Sequence, residues 1–334
     1  MSELHVVFGA GALGKWTARE LARMGKSVRV INRSGKADRL PEGVEIAAGD
    51  AYDVNKNIEL TRGAAAVYQC SQPLYHEWAE KFPSMQKAIL DAVAANGAKF
   101  IVGDNLYMYG EPHGQPMHED LPYQPHTKKG RVRGEMANAI LDAHRSGRVR
   151  AAIGRASNFF GPDDMAATQF AIRPALEGKA INLIGRLDQP HTFSYVADFG
   201  KLLATLGTRD EALGQVWFTP SPAPLTQKEL VGIIEAELGH KVKVLAAGKT
   251  LLSVLGLFDP TLRESVEMVY EWTQPFIMDS RKAEKAFGLK ATPLPDAMKQ
   301  TIAWVREDIE KRKNILMEKK NVKNIRGTLH SENG

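Results

Sequence analysis

The stretch Leu4-His5-Val6-Val7-Phe8-Gly9-Ala10-Gly11-Ala12-Leu13-Gly14 decides how the chain is read. Its first five residues are a short apolar run suited to a buried strand. Residues 15–24 then carry helical periodicity, with Trp16, Ala18, Leu21 and Ala22 able to share faces, and Gly25 supplies a helix stop. Ser27-Val28-Arg29-Val30-Ile31 is a second strand. Strand, glycine turn, helix, strand is a βαβ unit, the context that gives Gly9-x-Gly11-x-x-Gly14 its meaning. Gly9 permits the tight turn, Gly11 lets the backbone approach a pyrophosphate, and Gly14 allows close helix–strand packing. Ala12 and Leu13 complete the phosphate cradle at the positive end of the helix.

The alternation continues outward. Further strands are expected at 44–48, 65–69, 99–102 and 150–153, with helices at 85–95 and 131–145. Strands separated by helices predict an α/β fold, a doubly wound parallel sheet. After residue 156 the texture changes to Pro-rich loops, such as Pro220-Ser221-Pro222-Ala223-Pro224, around helical stretches at 226–238 and 261–272. The expected organisation is a dinucleotide-binding domain over 1–156, a mainly substrate-binding region over 157–309 that returns in part to the core, and a basic tail over 310–334.

Length and composition narrow the class. At 334 residues the chain holds about two domains' worth of sequence. With 43% hydrophobic and 25% charged residues it is an ordinary globular composition, which excludes wholesale disorder. No apolar run approaches the roughly 18–20 residues that span a bilayer. The N-terminal residues lack the pattern of a secretory signal. Cys70 is the only cysteine, so intrachain disulfides and cysteine-cluster metal sites are excluded and no metal is expected. These features fit a reducing, cytoplasmic setting. The net charge of +5 is mostly a tail effect: residues 310–334 hold seven Lys/Arg against three acids. The near-neutral body gives no broad basic face, so neither nucleic acid nor membrane is expected as a partner.

The end of the second strand discriminates between the two dinucleotides. An NAD site places Asp or Glu there to hold the ribose 2′-OH. Here Asn32-Arg33-Ser34 stands there, with Lys36 close by, so Arg33 and Ser34 are expected to meet a 2′-phosphate. NADP is favoured, with NAD as the alternative. Asp50 is the expected partner of the adenine amino group.

Gly9–Gly14, Asp50, Tyr107-Met108-Tyr109-Gly110, residues 154–162 (Gly-Arg-Ala-Ser-Asn-Phe-Phe-Gly-Pro) and Phe193-Ser194-Tyr195-Val196-Ala197-Asp198 together resemble the extended short-chain dehydrogenase/reductase superfamily, and within it the NAD-dependent epimerase/dehydratase branch. The resemblance runs from about residue 4 to 305. It implies a Rossmann core with a C-terminal substrate region, a small-molecule substrate and a homodimer through the helices near 85–95 and 131–145. It also implies that Arg155, Asn158, His191, Phe193 and Tyr195 line the substrate cleft. Arg263 is a candidate for an anionic substrate group.

One departure stands out. The superfamily's Tyr-x-x-x-Lys is absent: aligned on Glu135, its tyrosine position holds Thr127 and its lysine position Arg131. Asn105 stands where a Ser or Thr is usual. The substitute acid/base expected from the sequence is Tyr107. If the fifth strand continues, Asn105, Tyr107 and Tyr109 share one face. Lys128, Lys129 or Arg131 would then lower the phenol pKa, and Lys128 or Lys129 would also reach the cofactor ribose. The expected activity is an NADP-dependent oxidoreductase on a small carbonyl or alcohol. The alternatives are an epimerase/dehydratase that reduces its bound cofactor transiently, and a cofactor-binding sensor without catalysis.

Overall fold

Val6 and Phe8 point to one face of β1 (Leu4–Phe8) and Val7 to the other, and all three are buried. A strand apolar on both faces needs a covering layer on each. The computed structural model, which describes residues 2–164 and 168–331, supplies both layers. β1 pairs in parallel with β2 (Ser27–Asn32), which pairs with β3 (Glu45–Ala48). On its other side β1 pairs with β4 (Ala64–Gln69), then come β5 (Lys99–Asp104), β6 (Arg150–Arg155) and a seventh strand, Val216–Phe218. All seven are parallel, in the spatial order β3-β2-β1-β4-β5-β6-seventh.

One face is covered by α2 (Val54–Leu60), α3 (Trp78–Asn96) and α4 (Lys128–Arg145), through Leu60, Phe82, Met85, Ile89, Met136 and Ile140. The other is covered by α1 (Ala12–Arg23) and the helix Val196–Thr208, through Leu21, Phe199, Leu202 and Leu206. Each such side chain, fully buried, contributes about 1.5–3 kcal/mol. A third core, with Phe160, Ile181, Phe193, Tyr195, Ile234 and Val305, lies in the later half of the chain. The sheet is doubly wound and Rossmann-like. Its order reverses between β1 and β4, and the crevice outside their carboxyl ends is where such sheets bind ligands.

Several elements depart from the expected bounds. β5 and β6 each run two residues further, to Asp104 and Arg155. A hydropathy reading stops at those charges. The fold does not, because Asp104 and Arg155 are paired residues on adjacent strands and neutralise each other. α4 starts at Lys128, with the Thr127 hydroxyl accepting the Gly130 N–H. The expected helix at 261–272 is a short α-helix, Pro260–Ser265, followed by the 3-10 segment Val266–Trp272. Much of the basic tail continues the final helix, Leu294–Ser331. The side chains of 318–331 and residues 332–334 lie outside the described residues.

The Asp104 carboxylate sits beneath this crevice. Arg133 Nε donates to its Oδ1 at 2.8 Å, and Arg155 Nε donates to its Oδ2 at 3.0 Å. Arg155 also donates to the Tyr109 and Tyr123 hydroxyls, each at 2.6 Å. Removing one member of a buried charge network costs roughly 3–5 kcal/mol. Asp104→Asn is therefore expected to lower unfolding stability by about that amount. Urea denaturation measures it.

Candidate active site

The glycine turn has the geometry its spacing implies. Gly9 has φ +111°, and a Cβ there would sit 2.9 Å from the backbone of Cys70 and Ser71. A Cβ at Gly14 would lie 1.9 Å from the Gly9 carbonyl oxygen. At Gly11, the N-cap of α1, nothing lies within 4 Å of where a Cβ would be. The turn is packed tight at both ends and open in the middle, with Ala12 and Leu13 at the helix start beside the opening. Cys70 lies against this turn, and burial pushes its thiol up to about 12, so it is inert near neutral pH.

Beyond β2, Asn32 organises a turn: its Oδ1 accepts the Gly35 N–H at 2.7 Å and the Ser34 hydroxyl at 3.2 Å. Arg33, Ser34 and Lys36 are exposed around that turn. The first acid after β2 is Asp38, which is bonded to Lys15 Nζ at 3.1 Å. Lys15 also donates to Asp163 at 2.8 Å. One turn along α1, Arg19 donates to Asp163 at 3.2 Å and to the Arg39 carbonyl at 2.7 Å. Asp163 and Arg39 both hold positive φ, 67° and 57°. Asp50 is exposed, and its carboxylate accepts the Tyr52 N–H at 3.1 Å, a turn-forming bond that leaves other lone pairs open.

At the missing Tyr-x-x-x-Lys the geometry corrects the sequence reading. β5 ends at Asp104, and Tyr107–Tyr109 is a 3-10 turn. The expected alternation of Asn105, Tyr107 and Tyr109 therefore does not exist. The Asn105 side chain instead accepts the Tyr107 N–H at 3.2 Å. Arg131 points away: on α4 the buried basic residues are Lys129 and Arg133, and Arg131 lies between them on the opposite side. Its guanidinium donates to the His126 carbonyl. Lys128 is exposed, with its backbone N–H capped by Glu267. Lys129 is held by Glu264 and Glu267. The Tyr107 phenol is accordingly not lowered. Burial, with the Glu271 carboxyl nearby, pushes it well above the ordinary range, against smaller opposing effects of a Tyr75 hydrogen bond and of Arg133.

The residues matched to a substrate cleft separate into two groups. Arg155 is fully buried and ion-paired in the Asp104 network. Phe193 and Tyr195 are buried in the third core, with the Tyr195 hydroxyl donating to Gln300 at 3.0 Å. Asn158 and His191 do come together. Asn158 Nδ2 lies 3.2 Å from His191 Nε2 and 3.2 Å from Glu271 Oε2. His191 stacks on Trp272 at 4.1 Å between ring centroids. Arg263 is exposed at the end of its short helix.

A family model for the NAD dependent epimerase/dehydratase family matches residues 5–217. The chain belongs to that family. It is thereby a nicotinamide-dependent enzyme of the extended short-chain dehydrogenase/reductase type. A UDP-glucose 4-epimerase of Corynebacterium glutamicum is 26% identical over 332 residues, covering 93% of this chain and 92% of the relative. An epimerase from Methanothermobacter thermautotrophicus superposes with a TM-score of 0.78 at 17% identity, over 94% of this chain and 95% of that one. A UDP-glucose 4-epimerase from Thermotoga maritima superposes with a TM-score of 0.77 at 15% identity, over 92% and 99%. Among the described residues no helix is long and apolar enough to cross a membrane.

The residues present fit the family's dinucleotide. Gly11 leaves the backbone of the turn open, and two buried hydroxyls at the strand ends, Ser71 after β4 and Ser157 after β6, have no hydrogen-bond partner among the described residues. Such orphaned donors are where a bound ligand supplies the missing partner.

Sequence reasoning missed Tyr75 and Glu271. The signal for Glu271 was an acid between two aromatics in Tyr270-Glu271-Trp272. Burial pushes the Glu271 carboxyl up to about 8 from an ordinary 4.5, and pushes His191 down to about 3 from 6.5. The folded protein thus holds an extra Glu271 proton between pH 4.5 and 8, so stability falls as pH rises through that window. His191 acts in the opposite sense, and its contribution is lost as pH falls below 6.5. Between 6.5 and 8 Glu271 acts alone of the two. Denaturation midpoints are expected to fall across that range in the native chain, by at most about 1.4 kcal/mol per pH unit, and to stay flatter in Glu271→Gln.

Proposed function

We propose that the protein catalyses NADP-dependent oxidation and reduction at a secondary alcohol or ketone carbon of a small organic substrate. The observation that carries the choice of cofactor is the end of β2. It offers no free carboxylate to a ribose 2′-OH, because Asp38 is engaged by Lys15. It offers instead two exposed cations, Arg33 and Lys36, on either side of the Ser34 hydroxyl. A guanidinium beside a hydroxyl is a natural receptor for a phosphate dianion. Structural neighbours are described as bound to NAD, so the proposed preference is a property of this chain's own loop.

When bound, the nicotinamide supplies or accepts a hydride. The chain's part is to hold the pyrophosphate at Gly9–Gly14, the adenosine end at Arg33, Ser34 and Asp50, and the reacting carbon over the ends of β4 and β5. The likeness to a UDP-glucose 4-epimerase supports a second reading, in which the cofactor is returned within each turnover. Net consumption of NADPH separates a reductase from an epimerase, and interconversion of UDP-glucose and UDP-galactose tests the epimerase directly.

Fluorescence titration with NADPH and NADH tests the cofactor assignment. Tight NADPH binding is expected to weaken about tenfold or more in Arg33→Ala, while NADH binding stays within about threefold. Equal loss for both dinucleotides would remove the 2′-phosphate assignment.

A further inference from the structure

Lys129 Nζ lies 4.6 Å from the Tyr75 ring centroid and is held by Glu267, which brings the segment carrying Tyr270 and Glu271 to the side of the site where Tyr75 and Tyr107 stand. Tyr75 follows β4, Tyr107 follows β5, and Tyr270 and Glu271 come from the segment Val266–Trp272. The Glu271 charge acts on all three phenols. Its residue is 3% exposed, and one hydrogen bond reaches the carboxyl among the described residues, from Asn158 at 3.2 Å. No cation pairs with it there.

The charged neighbours are all engaged elsewhere. Lys129 is held by Glu264 and Glu267, and Glu267 also caps the α4 N–H groups of Lys128 and Lys129. Arg133 is held by Asp104. His126 packs edge-on against Tyr270 and lies 3.6 Å from Glu111. His191 is neutral near pH 7, facing Asn158 and the Glu271 carbonyl oxygen. An isolated buried carboxylate costs several kcal/mol and gives the fold nothing a glutamine would not. Among the described residues Glu271 caps no helix and closes no ion pair. A buried carboxyl without a charge partner is the kind of group that proton transfer uses.

We propose that Glu271 is the proton carrier of this site, in place of the absent tyrosine. The assignment rests on the redox reading above. As the alcohol carbon gives its hydride to the oxidised nicotinamide, the O–H bond breaks and its electron pair becomes the second C–O bond. The proton passes to the Glu271 carboxylate. Reduction reverses each transfer, with the Glu271 carboxyl giving its proton to the carbonyl oxygen.

A binding experiment follows from charge alone. The oxidised nicotinamide ring is cationic and the reduced ring neutral. A cation placed over the ends of β4 and β5 favours the ionised carboxyl. NADP+ is therefore expected to expel a proton on binding and NADPH to expel none. Calorimetric titration of the full chain at pH 7, in two buffers of different ionisation enthalpy, reads that proton directly. The expected result is release of roughly half a proton or more with NADP+, lost in Glu271→Gln and retained in Tyr107→Phe. Asn158→Ala, which removes the donor that favours the ionised form, should move the pH midpoint of release upward. That variant carries the test if Glu271→Gln fails to fold. Release that persists in Glu271→Gln, disappears in Tyr107→Phe or keeps its midpoint in Asn158→Ala overturns the assignment. NADP+ binding without proton release also overturns it. Failure to bind either dinucleotide is a separate result, which overturns the cofactor reading itself.

Discussion

One carboxylate, Asp104, is shared by two guanidiniums that come from different layers of the molecule. Arg155 reaches it from the neighbouring strand and Arg133 from the helix above. Two acceptor oxygens thereby fix the ends of β5 and β6, the roll of α4, and, through Tyr109 and Tyr123, the long connection between β5 and α4. The network leaves a net positive charge underground, and the rings of Tyr109 and Tyr123, each about 5 Å from the Arg155 guanidinium carbon, face it. Electron-rich ring faces are the cheapest way to hold an excess cation away from water. Every residue of the candidate site on the β5 side is positioned from this floor.

That floor also explains what replaces the superfamily's pattern at the start of α4. With Arg133 drawn inward and down, the helix turns Lys129 inward as well and Arg131 outward. The basic residue one turn earlier is neutralised by Glu264 of the short helix Pro260–Ser265 and by Glu267 of the 3-10 segment that follows it. No free positive charge faces the Tyr107 phenol, and the site loses the device by which a lysine makes a tyrosine acidic enough to work at neutral pH. The same segment that removes the cation brings in Glu271. One form of acid–base chemistry is lost and a different one becomes available through the same rearrangement.

The β-α-β unit was legible in sequence because its glycines answer to backbone geometry that few other residues tolerate, and because apolar runs alternate with helical ones. The strand ends were not legible. Asp104 and Arg155 look like loop residues until their cross-strand pairing is known, and a pairing partner 51 residues away leaves no local mark. The same blindness hid the burial of Arg155: its chemical type suits an anion, and its place in the Asp104 network is a tertiary fact. Period-two reasoning failed after β5 because a 3-10 turn intervenes. Asn158 and His191 were picked out by resemblance, but their common neighbour Glu271 was not, because it lies 113 residues beyond Asn158.

The α1 helix carries one more obligation. Its Lys15 and Arg19 bind, on one side, Asp38 and the Arg39 carbonyl of the loop after β2, and on the other Asp163 in the later half of the chain. Both Arg39 and Asp163 hold left-handed backbone conformations that cost such residues on the order of 1 kcal/mol or more. The loop after β2 and the loop that holds Asp163 are thus two ends of a single splint. Such a protein is not modular. A laboratory exchange of the β2 loop, of the kind that swaps dinucleotide preference in freer scaffolds, would here carry its disturbance across the helix, and natural lineages would have had to change both loops in step.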